Sequence, residues 1–310
     1  MTSERDFLRK LQATFPIRPP VVTGIGDDGA VLRPDENSDQ VIVTDMLLDG
    51  VHFDLKTTSP SLAGRKAVAV NLSDLAAMGC TPESAFVSIA VPRSVPDYEQ
   101  FLKSLYQGIQ EIASQWNFTI AGGDTNSWDG PFAINVCLTG RPYAESPVLR
   151  STAQVGDVLA VSGPLGGSLC RDRHLTFEPR LRLSEWLCRH WRPSAMMDIS
   201  DGLAIDLSRM MEASGTGAVL WQDSIPIHAD VAASESHADR LQHALSDGED
   251  FELLVALPAD VRDCADFRNY WQAAGGQLIG EVTADSGKCI LRSSDGMSSR
   301  ELESTGWQHF

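Results

Sequence analysis

The stretch Asn71-Leu72-Ser73-Asp74-Leu75-Ala76-Ala77-Met78-Gly79 is the most informative part of the sequence. It closes an almost wholly apolar run from Ser61 to Met78, which predicts a long buried helix ended by a glycine. Asp74 is the one acidic residue of that run, with only Arg65 and Lys66 as cationic residues nearby. Because a carboxylate among apolar residues is costly to bury without a partner, a functional role for Asp74 is favoured over a structural one.

Alternating strands and helices extend on both sides of this helix and predict two α/β domains. In the first half, strands are predicted at Val41–Thr44, Phe86–Val91, Phe118–Ala121 and Phe132–Thr139, and helices at Ser3–Phe15, Ser61–Met78 and Tyr98–Ser114. A polar, proline-containing linker follows from Arg141 to Gly156. In the second half, strands are predicted at Val158–Val161, Met196–Ile199, Phe251–Leu257, Gln277–Val282 and Cys289–Arg292, and helices at Arg180–His190, Asp201–Glu212, Leu241–Leu245 and Val261–Ala274. The predicted domains are residues 1–148 and 149–310.

Length and charge exclude several classes of protein. A chain of 310 residues fits two domains of ordinary size. Its formal net charge of −17 repels polyphosphate backbones, which argues against a nucleic-acid partner and suits a protein that collects divalent cations. No apolar run reaches the roughly 20 residues needed to cross a bilayer, so no membrane is expected. The charged first residues and six scattered cysteines predict a cytoplasmic protein with reduced thiols.

Carboxylates recur at positions where turns or apolar segments surround them. Asp27 and Asp28 lie between glycines, and Asp45 and Asp124 are predicted at strand ends, where α/β folds bind ligands. The other members are Asp74, Asp198, Asp201, Asp247, Glu249 and Asp250. An Asp beside Gly is also common as a turn or helix cap, so for Asp27, Asp201 and Asp247 both interpretations stay open. All-oxygen ligands without clustered Cys or His favour Mg²⁺.

Several catalytic motifs are absent from the sequence. There is no G-x-x-x-x-G-K-[ST] loop, protein-kinase signature, G-x-S-x-G elbow or H-E-x-x-H pair. The glycine-rich segment Gly163–Ser168 is interpreted equally well as a phosphate-binding loop or a plain loop.

The motifs resemble those of the thiamine-monophosphate kinase family, within the wider superfamily of aminoimidazole ribonucleotide synthetase. They follow the family order from residue 24 to 310. The matching segments are Gly24–Asp28, Thr44–Leu47, Gly50–Phe53, Asn71–Gly79, Gly122–Thr125, Asp198–Leu203, Gly248–Leu253 and Gly306–Phe310. The Asn71–Gly79 block together with Val51–Phe53 is highly specific, whereas the glycine turns alone are not.

The resemblance implies an α/β (α+β) fold of two domains, with ATP and substrate between them. The N-terminal domain would bind ATP and Mg²⁺ and pair with a second subunit in a dimeric β-barrel. The C-terminal α/β domain would complete the active site. The implied partners are ATP as co-substrate, thiamine monophosphate and a second copy of the chain. The implied reaction gives thiamine diphosphate and ADP.

Carried over residue by residue, the resemblance implies three sets of site residues. The implied Mg²⁺ ligands, for several ions, are Asp28, Thr44, Asp45, Asp74, Asp124, Asp198 and Asp201. The implied ATP contacts are Tyr106, Gly123, Asp124, Arg150 and Ser200. The implied substrate contacts are His52, Glu249 and Trp307. One departure is Val43, where the family often has a hydroxyl residue. The segment from Leu169 to Arg192 is also shorter than usual.

This chemistry accounts for the acidic residues. Two doubly charged phosphates about 4 Å apart repel by roughly 16 kcal/mol at an effective dielectric of about 20, so cations must screen them. The attacking phosphate oxygen is already largely ionised near neutral pH, so no catalytic general base is expected and transfer is predicted to be direct and in-line. The hypothesis requires Asp28, Asp45, Asp74 and Asp124 to meet in one cleft.

Some assignments keep a structural alternative. Trp307 could stack on the cationic thiazolium or the pyrimidine ring, or only pin the end of the chain. His52 and Glu249 could contact substrate, or flank a strand and cap a turn. Arg150 could neutralise an ATP phosphate or be a solvated linker residue.

Two other functions are compatible with parts of the pattern. A sister enzyme of the superfamily is one, although selenophosphate synthetase would want a reactive Cys near the N-terminus, and the first here is Cys80. A nucleotide- and Mg²⁺-binding regulator without activity is the other, and only Val43 hints at it. An assay of ADP release with and without thiamine monophosphate separates these functions.

Overall fold

The computed structural model describes residues 9–10, 12–14, 17–35, 38–293 and 298–307. The helix predicted from Ser3 to Phe15 falls largely outside these residues. The other predicted helices and strands are present, with bounds that differ by a few residues in most cases. Two sheets of different size define two domains.

The first domain is built on a six-stranded sheet in the order β1-β2-β3-β6-β4-β5. Its strands are β1 (Val21–Thr23), β2 (Ala30–Asp35), β3 (Ser38–Leu48), β4 (Cys80–Pro92), β5 (Thr119–Trp128) and β6 (Ala133–Pro142). Only β4 and β5 are parallel; every other neighbouring pair is antiparallel. The sheet is therefore mixed.

The second domain is built on a seven-stranded sheet in the order β13-β12-β9-β11-β7-β10-β8. Its strands are β7 (Val158–Val161), β8 (Ala195–Ile199), β9 (Gly217–Trp221), β10 (Glu252–Leu257), β11 (Gln277–Thr283), β12 (Cys289–Arg292) and β13 (Ser299–Glu301). Here β9 and β12 are parallel and the other pairs antiparallel. The inner strands β7 and β10 and the edge strand β8 are buried along their whole length.

Seven α-helices accompany the sheets in the part of the chain that the structure describes element by element. They are α1 (Pro60–Ala77), α2 (Tyr98–Trp116), α3 (Arg173–Thr176), α4 (Leu181–His190), α5 (Leu203–Ser214), α6 (His237–Ser246) and α7 (Ala265–Ala273). Among the described residues, no helix is long and apolar enough to cross a membrane.

Helix α1 lies between the two domains. It packs on β3, β6 and α2 of the first domain and on α3, α4 and β8 of the second. The Ser59 side chain caps its first turn, and Gly79 takes the positive φ of +66° that lets the chain turn back into β4. Because both sides of the helix are covered, 13 of its 18 residues are buried. Asp74 is thereby carried into the cleft between the domains.

The predicted strand ends at Asp45 and Asp124 are wrong. Strand β3 continues to Leu48 and β5 to Trp128, so both carboxylates lie inside strands of a largely antiparallel sheet. The prediction assumed a parallel sheet, in which ligands bind at the carboxyl ends of the strands. That rule does not apply to this largely antiparallel sheet. The predicted runs were shorter than the strands, because Asp45 interrupts the apolar run of β3 and the outer half of β5 is exposed and mostly polar.

The segment between β6 and β7 connects the two sheets, as predicted. Tyr143 and Val148 of this segment donate backbone hydrogen bonds to Gly79 and Met78, at the end of α1. The domain boundary near residue 148 falls within the connection and stays a prediction. The six-stranded sheet, as far as the structure describes it, is not closed into a barrel.

Candidate active site

Three carboxylates from distant parts of the sequence converge in the cleft. Asp28, Asp74 and Asp198 each place one oxygen within 4.8 Å of the others. Asp28 belongs to the turn before β2, Asp74 to the end of α1, and Asp198 to β8. The Ser73 hydroxyl donates to Asp198 at 2.7 Å, so two neighbouring residues of α1 both reach the cluster.

Asp45 adds a fourth carboxyl group. Its side chain is hydrogen-bonded to that of Asp74. Burial raises the pKa of Asp74 well above its usual value, and the charges of Asp45 and Asp198 raise it further. Burial likewise raises the pKa of Asp45 and Asp198. The four carboxyl groups therefore need protons or a cation, because their mutual repulsion in a dry cleft is large.

Arg150 supplies part of that positive charge. Its guanidinium pairs with Asp28, and its backbone N–H donates to Asp27 at 3.2 Å. Burial and the Asp28 charge raise the pKa of Asp27 to about 7, against the lowering effect of Arg150. Arg150 is thus no solvated linker residue. One oxygen of Asp28, Oδ2, is buried without a hydrogen-bond partner among the described residues.

A second arginine, which the sequence analysis missed, lies on the helix that packs against the Arg150 segment. Arg209 of α5 pairs with Asp201 and with the buried Asp206, at 2.8 Å to the latter. Asp206 also accepts the backbone N–H groups of Asp201 and Gly202. The spacing of Asp206 and Arg209 on one helix face was the available signal. Asp201 is therefore held at the rim, next to the cluster rather than inside it.

A cavity of about 270 Å³ opens beside the cluster. Its lining brings together the predicted residues Asp45, His52, Asp74, Asp198, Ser200, Asp201, Glu249 and Trp307. The His52 ring accepts the Leu48 backbone N–H at Nδ1, which leaves Nε2 as its hydrogen-bond donor. A larger cavity of about 830 Å³ is lined by none of the predicted site residues. We take the smaller of these two cavities as the candidate active site, because the convergent carboxylates lie beside it.

Trp307 lies at the mouth of this cavity. Its side chain is 52% exposed, and its backbone N–H donates to the Asp201 carbonyl at 3.0 Å. A Cβ at Gly306 would clash with the same carbonyl and with Ile205, so the tail passes close to α5. The backbone hydrogen bond and this close approach hold the tail against α5. This leaves much of the indole surface accessible to a ligand.

Lys66 is a further residue whose role the sequence analysis did not assign. Its side chain is fully buried in α1, and its Nζ donates to the His52 carbonyl at 2.7 Å and to the Glu249 carboxylate. Burial lowers the pKa of Lys66, and Glu249 opposes that change. Burial raises the pKa of Glu249, and Lys66 opposes that change. A lysine inside an apolar helix was the signal in the sequence.

Asp124 does not join the carboxylate cluster within this chain. It pairs with Ser88 on β4, Ser88 pairs with Asn135 on β6, and Asn135 pairs with Met46 on β3. Three strand spacings separate Asp124 from β3, about 14 Å. Because cross-strand partners share a face, Asp124 lies on the exposed face of the sheet, opposite the face that carries Asp45. The expectation that all four carboxylates share one cleft is wrong for Asp124.

Three more predicted residues also lie away from the cluster. The Thr44 side chain is on the exposed face of β3, where its hydroxyl accepts from Asn135 at 3.1 Å, so its hydroxyl does not point towards the carboxylates. Gly123 lies on the edge strand β5. Tyr106 lines a separate cavity of about 340 Å³ on α2 beside β5. The predicted ATP contacts therefore form two groups, with Arg150 and Ser200 in the cleft and the others near β5.

Val43, the departure from the family pattern, is buried in the core with 1% exposure. A Cβ at Gly29 would stand 2.8 Å from its Cγ1, so valine fills the space beside that glycine. Its apolar side chain offers no metal ligand. The residue is explained by packing.

The glycine-rich segment has a structural use. The backbone N–H of Gly166 donates to Asp250 at 3.0 Å, and that of Gly167 donates to Asp247 at 2.8 Å. Arg173 also pairs with Asp250. These amides are therefore occupied by carboxylates of the chain itself, and the plain-loop interpretation is favoured.

The carboxylate set fits a hard divalent cation. Opposite ligands of Mg²⁺ stand about 4.2 Å apart, close to the spacing of the Asp28, Asp74 and Asp198 oxygens. All donors are carboxylate oxygens, and the unpartnered Asp28 Oδ2 is available.

Two family models match the chain. The model of the N-terminal domain of AIR synthase related proteins matches residues 26–141, and that of the C-terminal domain matches residues 187–291. A thiamine-monophosphate kinase of Rhodopirellula baltica is 44% identical over 263 residues, which cover 82% of each chain. The chain belongs to the thiamine-monophosphate kinase family. Another member, from Bacillus subtilis, is 31% identical over 94% of each chain.

Solved structures agree with this family assignment. The structure of AaThiL complexed with AMPPCP and TMP is 26% identical and superimposes with a TM-score of 0.83, over 99% of this chain and 97% of that chain. The hydrogenase maturation protein HypE of Escherichia coli has a TM-score of 0.69 at 19% identity, which shows the fold alone. The thiamine-monophosphate kinase family and the wider fold are thus both evident.

Proposed function

We propose that this protein transfers the γ-phosphoryl group of ATP to thiamine monophosphate, giving thiamine diphosphate and ADP. The observation that carries the proposal is the convergence of Asp28, Asp74 and Asp198 beside a cavity, in a chain of this family. ATP and thiamine monophosphate are both anionic, so a site that joins them must first reduce their repulsion.

Asp28, Asp45, Asp74 and Asp198 would hold Mg²⁺, with Asp201 at the rim. Bound Mg²⁺ would screen the two phosphates and stabilise the charge of the transferring group. Several ions are expected, because four carboxylates and two sets of phosphate oxygens offer more ligands than one ion takes.

The chain's own residues would orient both substrates. Arg150, paired with Asp28 of the cluster, would contact ATP phosphates, and so would Ser200, which lines the cavity. His52 Nε2 would donate to the phosphate of the acceptor. Glu249 would face the cationic part of thiamine, and the Trp307 indole would stack on one of its rings.

No side chain is needed as a general base. The acceptor phosphate is largely ionised at neutral pH, so its oxygen can attack without giving up a proton. We therefore propose direct in-line transfer, in which positioning and electrostatics supply the catalysis. We expect the reaction to take place in the cytoplasm.

We further propose that the active unit is a homodimer with a barrel shared between two N-terminal sheets. The exposed face and edge of the first sheet carry large apolar side chains, including Met46 (59% exposed), Phe86 (44%) and Trp128 (44%). Strand β5 is exposed along nearly its whole length. A second copy would cover this surface, because soluble proteins seldom leave such a patch open.

The dimer would also unite the divided ATP contacts. The cavity of about 270 Å³ is smaller than usual sites for drug-sized ligands, so one chain does not enclose both substrates. Tyr106, Gly123 and Asp124 lie together near β5. In the proposed dimer, this group from one subunit would complete the nucleotide site of the other.

A direct test measures ADP release and product formation from ATP and Mg²⁺. We expect ADP to form only with thiamine monophosphate, in a 1:1 ratio with thiamine diphosphate, and neither product to form with EDTA. ATP made chiral at the γ-phosphorus should react with inversion, as one direct displacement requires. ADP release without the acceptor, or with a different acceptor only, would contradict the proposed function. Retention of configuration would contradict direct transfer alone.

A further inference from the structure

Lys66 connects two predicted substrate contacts that come from different domains. Its Nζ donates to the backbone carbonyl of His52 in the first domain and to the carboxylate of Glu249 in the second. All three residues line the cavity beside the carboxylate cluster. The side chain of Lys66 is 0% exposed, and that of Glu249 is 24% exposed.

We propose that Lys66 is a positioning residue for the acceptor substrate, one that fixes the His52 segment and the Glu249 carboxylate at a set separation. This inference rests on the proposed function. The acceptor is a zwitterion-like molecule with a phosphate at one end, and a cationic thiazolium ring and a neutral aminopyrimidine ring beyond it. An imidazole donor and a carboxylate held apart by one buried ammonium match those two ends.

Stability alone does not explain a lysine at this position. A buried ion pair costs desolvation, and an apolar side chain of similar volume often serves a protein interior as well or better. Helix α1 is otherwise apolar around Lys66, with Ala63, Ala67 and Val70 all buried. The helix could therefore pack without the charge, but the pocket could not hold Glu249 in the same way.

The backbone at Glu249 supports a positioning role. Its φ of +56° is unusual for a residue with a side chain, and such conformations persist where the surroundings fix them. The Glu249 N–H donates to the Ser200 carbonyl at 2.6 Å, and the Ser168 hydroxyl donates to the Glu249 carbonyl at 2.7 Å. Lys66 then fixes the side chain, so backbone and carboxylate are both held.

Charge adds a second reason. Among the described residues that line the cavity, Lys66 is the one lysine or arginine. The same lining carries six carboxylates, those of Asp45, Asp74, Asp198, Asp201, Asp247 and Glu249. Without Lys66, the Glu249 carboxylate would face these like charges unpaired. It would then take up a proton or turn away, and in both cases it would lose its attraction for the cationic end of the acceptor.

The test compares Lys66→Met with Arg65→Met. Arg65 also lies on α1 and also reaches the second domain, through Leu175 and Phe177 carbonyls, but it is not among the residues that line the cavity. We expect Lys66→Met to raise KM for thiamine monophosphate at least about tenfold, the usual effect of losing a charged hydrogen bond, with KM for ATP changed less than about threefold. Arg65→Met should leave the ratio of the two KM values unchanged.

A double variant shows whether Lys66 acts through Glu249. Glu249→Gln should raise KM for thiamine monophosphate by itself, and adding Lys66→Met to it should raise KM much less than Lys66→Met does in the wild type. Independent, additive effects would overturn the proposal. So would a Lys66→Met enzyme with lower melting temperature and an unchanged ratio of KM values, which is the signature of a structural role only.

Folding and function are separated by two further measurements. If Lys66→Met does not fold, Lys66→Gln is measured in the same way, and failure of both to fold would show a structural role and overturn the proposal. A wild-type protein that does not phosphorylate thiamine monophosphate would refute the proposed function. An active wild type with an unaffected Lys66→Met variant would refute the positioning role alone.

Discussion

The carboxyl groups of Asp45 and Asp74 are hydrogen-bonded to one another, one from β3 and the other from α1. Two carboxyl groups in contact must share a proton or a cation, because both cannot stay ionised without one. Asp28 and Asp198 add further negative charge at Asp74. The cleft therefore concentrates negative charge that protons or the proposed divalent cations would offset.

Replacement of Asp74 should separate activity from stability. We expect Asp74→Asn to lower kcat by a factor of about 10²–10³. Asp74 lies beside the other carboxyl groups of the cluster, so its loss would weaken the proposed Mg²⁺ site as a whole. In EDTA, the same change should raise the free energy of unfolding by about 1 kcal/mol, since it removes one of several like charges. Steady-state kinetics and thermal unfolding measure the two effects. Asp129→Asn, at an exposed ion pair with Arg93, is the control and should change neither.

The cluster also predicts how pH and Mg²⁺ act together on stability. Burial and mutual repulsion raise the pKa of Asp45, Asp74 and Asp198 in the folded protein above 3.8. The folded state then holds more protons than the unfolded state between 3.8 and the raised values. Stability from these groups is thus complete below that window and is lost as pH rises through it.

Mg²⁺ should reverse this loss, because it replaces the departing protons. The test compares the melting temperature in about 10 mM Mg²⁺, chosen to be near saturation, with the melting temperature in EDTA. The difference between the two should grow steadily from pH 5 to pH 8. In Asp74→Asn the growth should be much smaller. A constant difference across this range would argue against cation binding at the cluster.

The sequence was sufficient for the elements and for part of the site. Helix α1 could be predicted because its apolar composition and closing glycine are local signals. The sequence analysis expected Asp28, Asp45, Asp74 and Asp124 to meet. The structure brings the first three together with Asp198, another residue that the resemblance had named, and leaves Asp124 outside the cluster. Their convergence itself depends on how two domains pack on α1, which no local pattern reports.

The errors have specific physical causes. The end of β3 was misplaced because Asp45 interrupts its apolar run, although Leu47 beyond it is buried again. The end of β5 was misplaced because its outer half is exposed and mostly polar. The face of the sheet on which the Asp124 side chain lies depends on the strand register. A register shift of one residue would move that side chain to the other face.

The pairing of Arg150 with Asp28 was not foreseen, because the two residues are 122 positions apart and share no motif. Arg209 was missed although Asp206, three residues before it on the same helix, was a local signal.

Trp307 gives a test of the substrate end of the site. Its side chain is 52% exposed, so Trp307→Ala should change the free energy of unfolding by less than about 0.5 kcal/mol. The loss of stacking on a cationic ring should raise KM for thiamine monophosphate about 5- to 30-fold, with little change in KM for ATP. Trp307→Phe should retain most of the affinity. A large fall in melting temperature with unchanged KM would instead mean that the residue only pins the tail.

Subunit mixing tests whether Asp124 serves the partner's site. Asp74→Asn and Asp124→Ala should each be nearly inactive as homodimers of about twice the 33.7 kDa chain mass. In a mixed dimer, the Asp124→Ala subunit keeps its own carboxylate cluster and receives Asp124 from the other subunit, so one site is intact. Random mixing should restore about one quarter of wild-type activity, because half of the dimers are mixed and each has one working site.

If Asp124 acted within its own chain, every site would carry a defect and mixing would restore nothing. Two Asp124→Ala preparations mixed together serve as the control and should stay inactive.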